Sequence, residues 1–187
     1  MNAIIVHGAN DSEKSAFEGG RENTRHWFPW LRKELDERGI KFSSELYPKD
    51  WEPDYEEWKR IFEKNNIDEN TILVGHSLGC GFILRWMAEN KEKVKKVILV
   101  APYILNSPEF PGLKNMVSFE FDSSLNDLWD KLIVFSSEDD YDFILKSVEK
   151  IKDKLNLKHL SFKDKGHFTK GDMGKEEFPE LLEEILL

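Results

Sequence analysis

The chain has 187 residues, enough to bury one full hydrophobic core, and its 40% hydrophobic and 34% charged residues are a globular rather than a disordered balance. Asp and Glu number 36 against 27 Lys and Arg, for a net charge of -9; no basic cluster escapes its acidic neighbours, which excludes nucleic acid as the partner. No apolar run approaches the ~20 residues of a spanning helix, Met1 to Val6 opens as a strand with no leader pattern, and Cys80 has no second cysteine to pair with, so a soluble cytoplasmic protein with no membrane partner is expected.

Ala3 to Val6 reads as the first strand. Trp27, Trp30, Leu31 and Leu35 then recur at helical spacing, and Gly39 supplies a stop. Phe42 to Tyr47 alternates weakly, as an edge strand does, and Pro53 and Asp54 start a helix whose buried face is Tyr55, Trp58 and Phe62. Thr71 to Val74 is a third strand, Phe82 to Met87 is helix-like, and Val97 to Val100 is aliphatic enough to be buried on both faces. Residues 102–130 resist assignment; they are either a small cap over an active site or a loop folding its own aromatics into the core. Leu132 to Phe135 is another strand. Ile144, Val148, Ile151 and Leu155 stripe the next helix, Leu157 to Phe162 is the last strand, and Phe178, Leu181, Leu182 and Ile185 mark a closing helix. This alternation predicts one α/β domain over 1–187, a three-layer α/β/α sandwich around a mainly parallel sheet of about six strands.

Gly75-His76-Ser77-Leu78-Gly79 lies between a strand and a helix. In that setting G-x-S-x-G is a nucleophile elbow, a sharp turn that raises a serine hydroxyl above the carboxyl edge of the sheet. Such a hydroxyl needs a base. Of the five histidines, His167 in Gly166-His167-Phe168 follows the last strand and opens at the same edge, whereas His76 points away by alternation, His7 ends the first strand, His26 starts a helix and His159 lies within a strand. A carboxylate to orient the imidazole is expected in Ser136-Ser137-Glu138-Asp139-Asp140, which follows another strand; spacing does not separate Asp139 from Asp140. The chain order serine, acid, histidine is that of the α/β hydrolases.

His7-Gly8 after the first strand, the Gly75 to Gly79 motif, Asp139-Asp140 and Gly166-His167-Phe168, with a Trp-rich first helix, together resemble the retinoblastoma-binding protein 9 family of small serine hydrolases. The likeness runs from Ile4 to Phe168. It implies a compact α/β-hydrolase fold with strand order 2-1-3-4-5-6, and it selects Asp140, the second aspartate of the pair, as the acid. The chain departs from the family in carrying Tyr141 where proline usually follows that aspartate. No Leu-x-Cys-x-Glu string surrounds Cys80, so a retinoblastoma-protein partner is not carried over.

The expected chemistry is two-step acyl transfer on a small carboxylic ester, with amides or thioesters open to the same machinery. The backbone N–H of Leu78, at the start of the helix, and that of Ala9, in the loop after the first strand, are the expected oxyanion donors. Trp27, Tyr103, Phe119, Trp129 and Phe168 are the candidates for pocket walls. Nothing resembles H-E-x-x-H or paired cysteines, so neither metal nor organic cofactor is expected. The competing reading is a protein-binding module that keeps the fold without catalysis.

Overall fold

The computed structural model describes residues 1–18 and 24–187. Its centre is a sheet of six strands: β1 (Asn2–Val6), β2 (Lys41–Ser43), β3 (Thr71–His76), β4 (Val94–Val100), β5 (Trp129–Ser137) and β6 (Lys158–Phe162). Their order is β2-β1-β3-β4-β5-β6, and every neighbouring pair is parallel. Register places Ile5, Val74, Ile98 and Ile133 in one row across four strands. Consecutive residues such as Ile72, Leu73 and Val74 are all buried, because helices cover both faces of a parallel sheet.

Strand order also locates the site. The chain leaves β1 toward β2 on one side and returns as β3 on the other, so β1 and β3 form a topological switch point. Loops there diverge and open a crevice at the carboxyl ends of the strands. His7-Gly8 and Gly75 to Ser77 are the segments that reach this crevice.

The main helices are α2 (Phe28–Asp36), α3 (Tyr55–Phe62), α4 (Leu78–Asn90), α6 (Asp142–Lys154) and α8 (Pro179–Leu186); α1 (Glu13–Glu18), α5 (Lys114–Val117) and α7 (Lys170–Met173) are short. Asp54 caps α3 by accepting from Glu57 N–H at 2.8 Å. Gly39 ends the α2 turn with a φ of 69°, a conformation that costs glycine nothing. At the other end of the chain, Lys96 on β4 donates to the Glu184 carbonyl and Lys158 on β6 to its carboxylate, fastening α8 to the sheet.

The edge strand differs from the expectation, and α1, α7 and the elements within 102–130 add to it. The edge strand β2 ends at Ser43 rather than Tyr47, because the Tyr47 N–H donates to the His7 ring instead of to a strand. Neither α1 nor α7 has an amphipathic stripe long enough to read. Residues 102–130 hold α5 and two 3-10 turns, Pro111–Leu113 and Ser123–Leu128, with Leu113, Met116, Val117, Phe121 and Leu125 buried. Among the described residues, no helix is long and apolar enough to cross a membrane.

Candidate active site

Ser77 follows β3 and caps α4 with φ 53° and ψ -117°, a conformation that side-chain-bearing residues rarely adopt. Its surroundings hold it there. The Ser77 N–H donates to the Val100 carbonyl at 2.9 Å, and its own carbonyl accepts from Tyr103 N–H at 3.1 Å. Gly79 lets α4 approach β1, since a Cβ there would stand 2.2 Å from the Val6 carbonyl oxygen; one on Gly75 would stand 2.7 Å from the Cys80 nitrogen. The Leu78 N–H, in the first turn of α4, has no acceptor within the helix.

His167 lies in a loop with two positive φ values, 49° at Gly166 and 57° at Phe168. Four side chains fix this loop. Lys165 N–H donates to Ser137 Oγ (2.9 Å), Gly166 N–H to Asp139 Oδ1 (2.9 Å) and His167 N–H to Asp172 Oδ2 (3.1 Å), while the His167 carbonyl accepts from His76 Nε2 (2.8 Å). The fifth anchor is apolar: Phe168 is fully buried against Phe162 and Phe178. Burying a phenylalanine contributes roughly 1.5–3 kcal/mol, which offsets the roughly 1–2 kcal/mol of a left-handed residue.

The imidazole faces Asp140. His167 Nδ1 lies 2.9 Å from Asp140 Oδ1 and 3.2 Å from Oδ2, and the carboxylate side chain is wholly buried while the imidazole keeps 18% exposure. Asp140 Oδ1 also accepts from the Tyr141 N–H at 2.7 Å. Nδ1 therefore carries a proton directed at the acid, which leaves Nε2 for the cavity. No hydrogen bond joins Ser77 Oγ to the ring among the described residues; such bonds are commonly loose in unliganded enzymes and tighten around substrate.

On the opposite side, His7 is fully buried at the end of β1. Its Nε2 accepts from the Tyr47 N–H at 2.9 Å, so the proton sits on Nδ1 and is donated to the Gly8 carbonyl at 2.7 Å. Burial lowers the His7 pKa to about 4, which keeps the ring neutral. In a trans peptide the carbonyl and the following N–H point in opposite directions. Holding the Gly8 carbonyl toward His7 thus turns the Ala9 N–H away from it. Gly8 lies against the serine, since a Cβ on it would be 3.0 Å from Ser77 Cβ, and Asn10 braces the loop by donating to Asp50 Oδ2 at 2.8 Å.

Ser77, His167, Gly8 and Ala9 line one cavity of about 340 Å³. Its lining includes the aromatic and apolar side chains Tyr103, Phe110, Leu113, Tyr141 and Phe143 and the polar side chains Asn10, Asp11, Arg25, His26 and Asp172. Of the five expected wall residues, Tyr103 is there. Trp27 is buried behind His76, their rings 6.0 Å apart. Trp129 is the first residue of β5 and so sits at the amino edge, opposite Ser77. Phe119 packs near Phe121 and opens on a different groove, and Phe168 is the core anchor described above. Their places in the wall are taken by Phe110, Leu113, Tyr141 and Phe143.

The family model described as "Serine hydrolase" matches residues 3–185. The chain belongs to this family. It is 29% identical over 189 residues to "Serine hydrolase RBBP9" of Rattus norvegicus, covering 96% of this chain and 91% of that protein. It is also 31% identical over 122 residues to "Putative hydrolase YdeN" of Bacillus subtilis (strain 168), a match covering 63% of the chain and 59% of that protein. The crystal structure of the ydeN gene product from B. subtilis superposes with a TM-score of 0.80 at 25% identity, over 99% of this chain and 96% of that one. The fold is that of the α/β hydrolases, with the strand order the resemblance implied.

Within this serine hydrolase, two histidines outside the proposed triad hold backbone near Ser77. His76 turns its ring beneath the His167 loop, which alternation along β3 could not reveal. His7 orients a loop peptide, and its position beside Gly8 was the available signal. Phe143 could have been flagged too, because it opens the helix that follows the Asp140 turn and so stands at the carboxyl edge. Among the described residues, no cluster of three or more His, Cys, Asp or Glu is arranged to hold a metal ion.

Proposed function

We propose that this serine hydrolase cleaves small carboxylic esters through Ser77, His167 and Asp140 as nucleophile, base and acid. The observation that carries the proposal is the buried Asp140 carboxylate paired with His167 Nδ1 at 2.9 Å, on a loop whose imidazole shares a cavity with the strained Ser77. Asp140 selects the tautomer that leaves Nε2 free to take a proton, and it stabilises the imidazolium that results.

His167 removes the Ser77 proton as Oγ attacks the ester carbonyl. The tetrahedral oxyanion is held by the N–H groups of Leu78 and Ala9, each worth about 2.7–4 kcal/mol of barrier. His167 then gives its proton to the alcohol oxygen as the C–O bond breaks, leaving an acyl-serine. Water, deprotonated by the same imidazole, releases the acid and restores Ser77. A cavity of about 340 Å³ suits a small substrate. Amides and thioesters are open to the same steps. One domain over 1–187 and a cytoplasmic setting belong to the proposal; the single cysteine, Cys80, is buried and free.

Labelling with a fluorophosphonate, followed by peptide mass spectrometry, tests the reading. The probe is expected on Ser77, with p-nitrophenyl acetate turnover lost in Ser77→Ala. An unlabelled Ser77, together with a Ser77→Ala variant indistinguishable from wild type, would instead support a non-catalytic binding module.

A further inference from the structure

We infer that the Tyr141 and Phe143 rings form the subsite for the alcohol portion of the ester and select aromatic alcohols; this rests on the hydrolase reading above. Among the described residues, Tyr141 is the one aromatic in the set of exposed large hydrophobic side chains, at 59% exposure. The ring lines the cavity that holds Ser77 and His167, so its exposed surface is available to a bound group.

The ring is held in place. It stacks on Phe143 with centroids 5.2 Å apart and planes within 5°, and it meets the His167 imidazole edge to face at 5.6 Å. Phe143 packs in turn against Tyr103 (5.5 Å) and Phe110 (5.7 Å), so these four aromatic side chains form one connected group in the cavity lining.

Mechanism decides which half of the substrate meets this wall. His167 must hand its proton to the departing alcohol oxygen, so that oxygen, and the group it carries, lies on the imidazole side. The acyl carbonyl instead points at Leu78 and Ala9. Tyr141 borders the imidazole directly, so the carbon skeleton of the alcohol rests on the Tyr141 and Phe143 pair. Flat, polarisable groups gain most from such a surface, through offset or edge contacts with both rings.

Position 141 permits a clean test. The bond that serves Asp140 comes from the Tyr141 backbone N–H, so replacing the side chain removes the ring and leaves that donor. Benzyl acetate and methyl acetate share one acyl group and have alcohols of similar acidity, so the ratio of their kcat/KM values reads the alcohol subsite. Wild type is expected to favour benzyl acetate by at least about tenfold, Tyr141→Ala to lose most of that preference, and Tyr141→Phe to retain it. Turnover of both esters without preference, or a preference untouched in Tyr141→Ala, overturns the subsite while leaving the hydrolase reading intact. No turnover of either ester with Ser77 unlabelled overturns both.

Discussion

Asp139 and Asp140 both reach the His167 loop, but at different atoms. Asp139 Oδ1 accepts from the Gly166 backbone N–H at 2.9 Å and from Ser137 Oγ at 2.5 Å, whereas Asp140 meets the His167 ring. One carboxylate sets where the loop runs, and the other sets which way the imidazole faces.

Asp140→Asn should therefore lower kcat on p-nitrophenyl acetate by roughly 10³–10⁴-fold, because an amide N–H beside Nδ1 imposes the wrong tautomer. Asp139→Asn keeps an acceptor for Gly166 N–H and should cost less than about tenfold. Steady-state kinetics of the two variants decide the matter, and the reverse order would move the acid one residue upstream.

His7 offers a test of the oxyanion loop that leaves the proposed triad untouched. His7→Phe deletes the donor to the Gly8 carbonyl, frees the Gly8–Ala9 peptide to rotate, and should reduce kcat about 10²-fold with a smaller change in KM. Because the Tyr47 N–H also loses its acceptor, circular dichroism and thermal melting should accompany the kinetics. A folded variant with wild-type kcat would remove Ala9 from the proposed mechanism.

Acid should destabilise the fold through the same residue. His7 has its pKa lowered to about 4 by burial, against about 6.5 for an exposed imidazole. Between those values the unfolded chain binds a proton that the native state refuses, so stability is full above about pH 6.5 and falls as pH drops toward 4. From pH 7.5 to 5 the loss is on the order of 2 kcal/mol from His7 alone. Burial lowers His76 and His26 in the same direction, His26 also to about 4 but from a partly exposed position, while Asp50, raised by burial, works against them. Urea midpoints across this range should fall with acid and fall less steeply in His7→Phe; a parallel decline in both proteins would show that other groups carry the effect.

Much of this molecule can be read from local patterns. Aliphatic runs such as Val97 to Val100 became central strands because nothing but burial on both faces suits them. Ser77 between Gly75 and Gly79 took its strained turn because larger residues would collide with β1 and α4. The edge strand was overestimated because Tyr47 spends its N–H on His7, forty residues away in sequence, and no short-range pattern carries that information.

The wall of the cavity shows the limit most plainly. Trp27, Tyr103, Phe119, Trp129 and Phe168 are equally aromatic, yet one lines the crevice, because a ring's place depends on which strand edge or packed layer its backbone occupies. Sequence alone determined the order of the strands' hydrophobic runs, the strained serine turn, Ser77 and His167 as the nucleophile and base proposed for catalysis, and the aspartate pair that contains the acid, since these follow from periodicity, glycine sterics and chain order. Tertiary structure alone decided that Asp140 rather than Asp139 touches the imidazole, that His7 and His76 steady backbone on either side of Ser77, and that Tyr141 borders the His167 ring, because each depends on a contact between segments far apart along the chain.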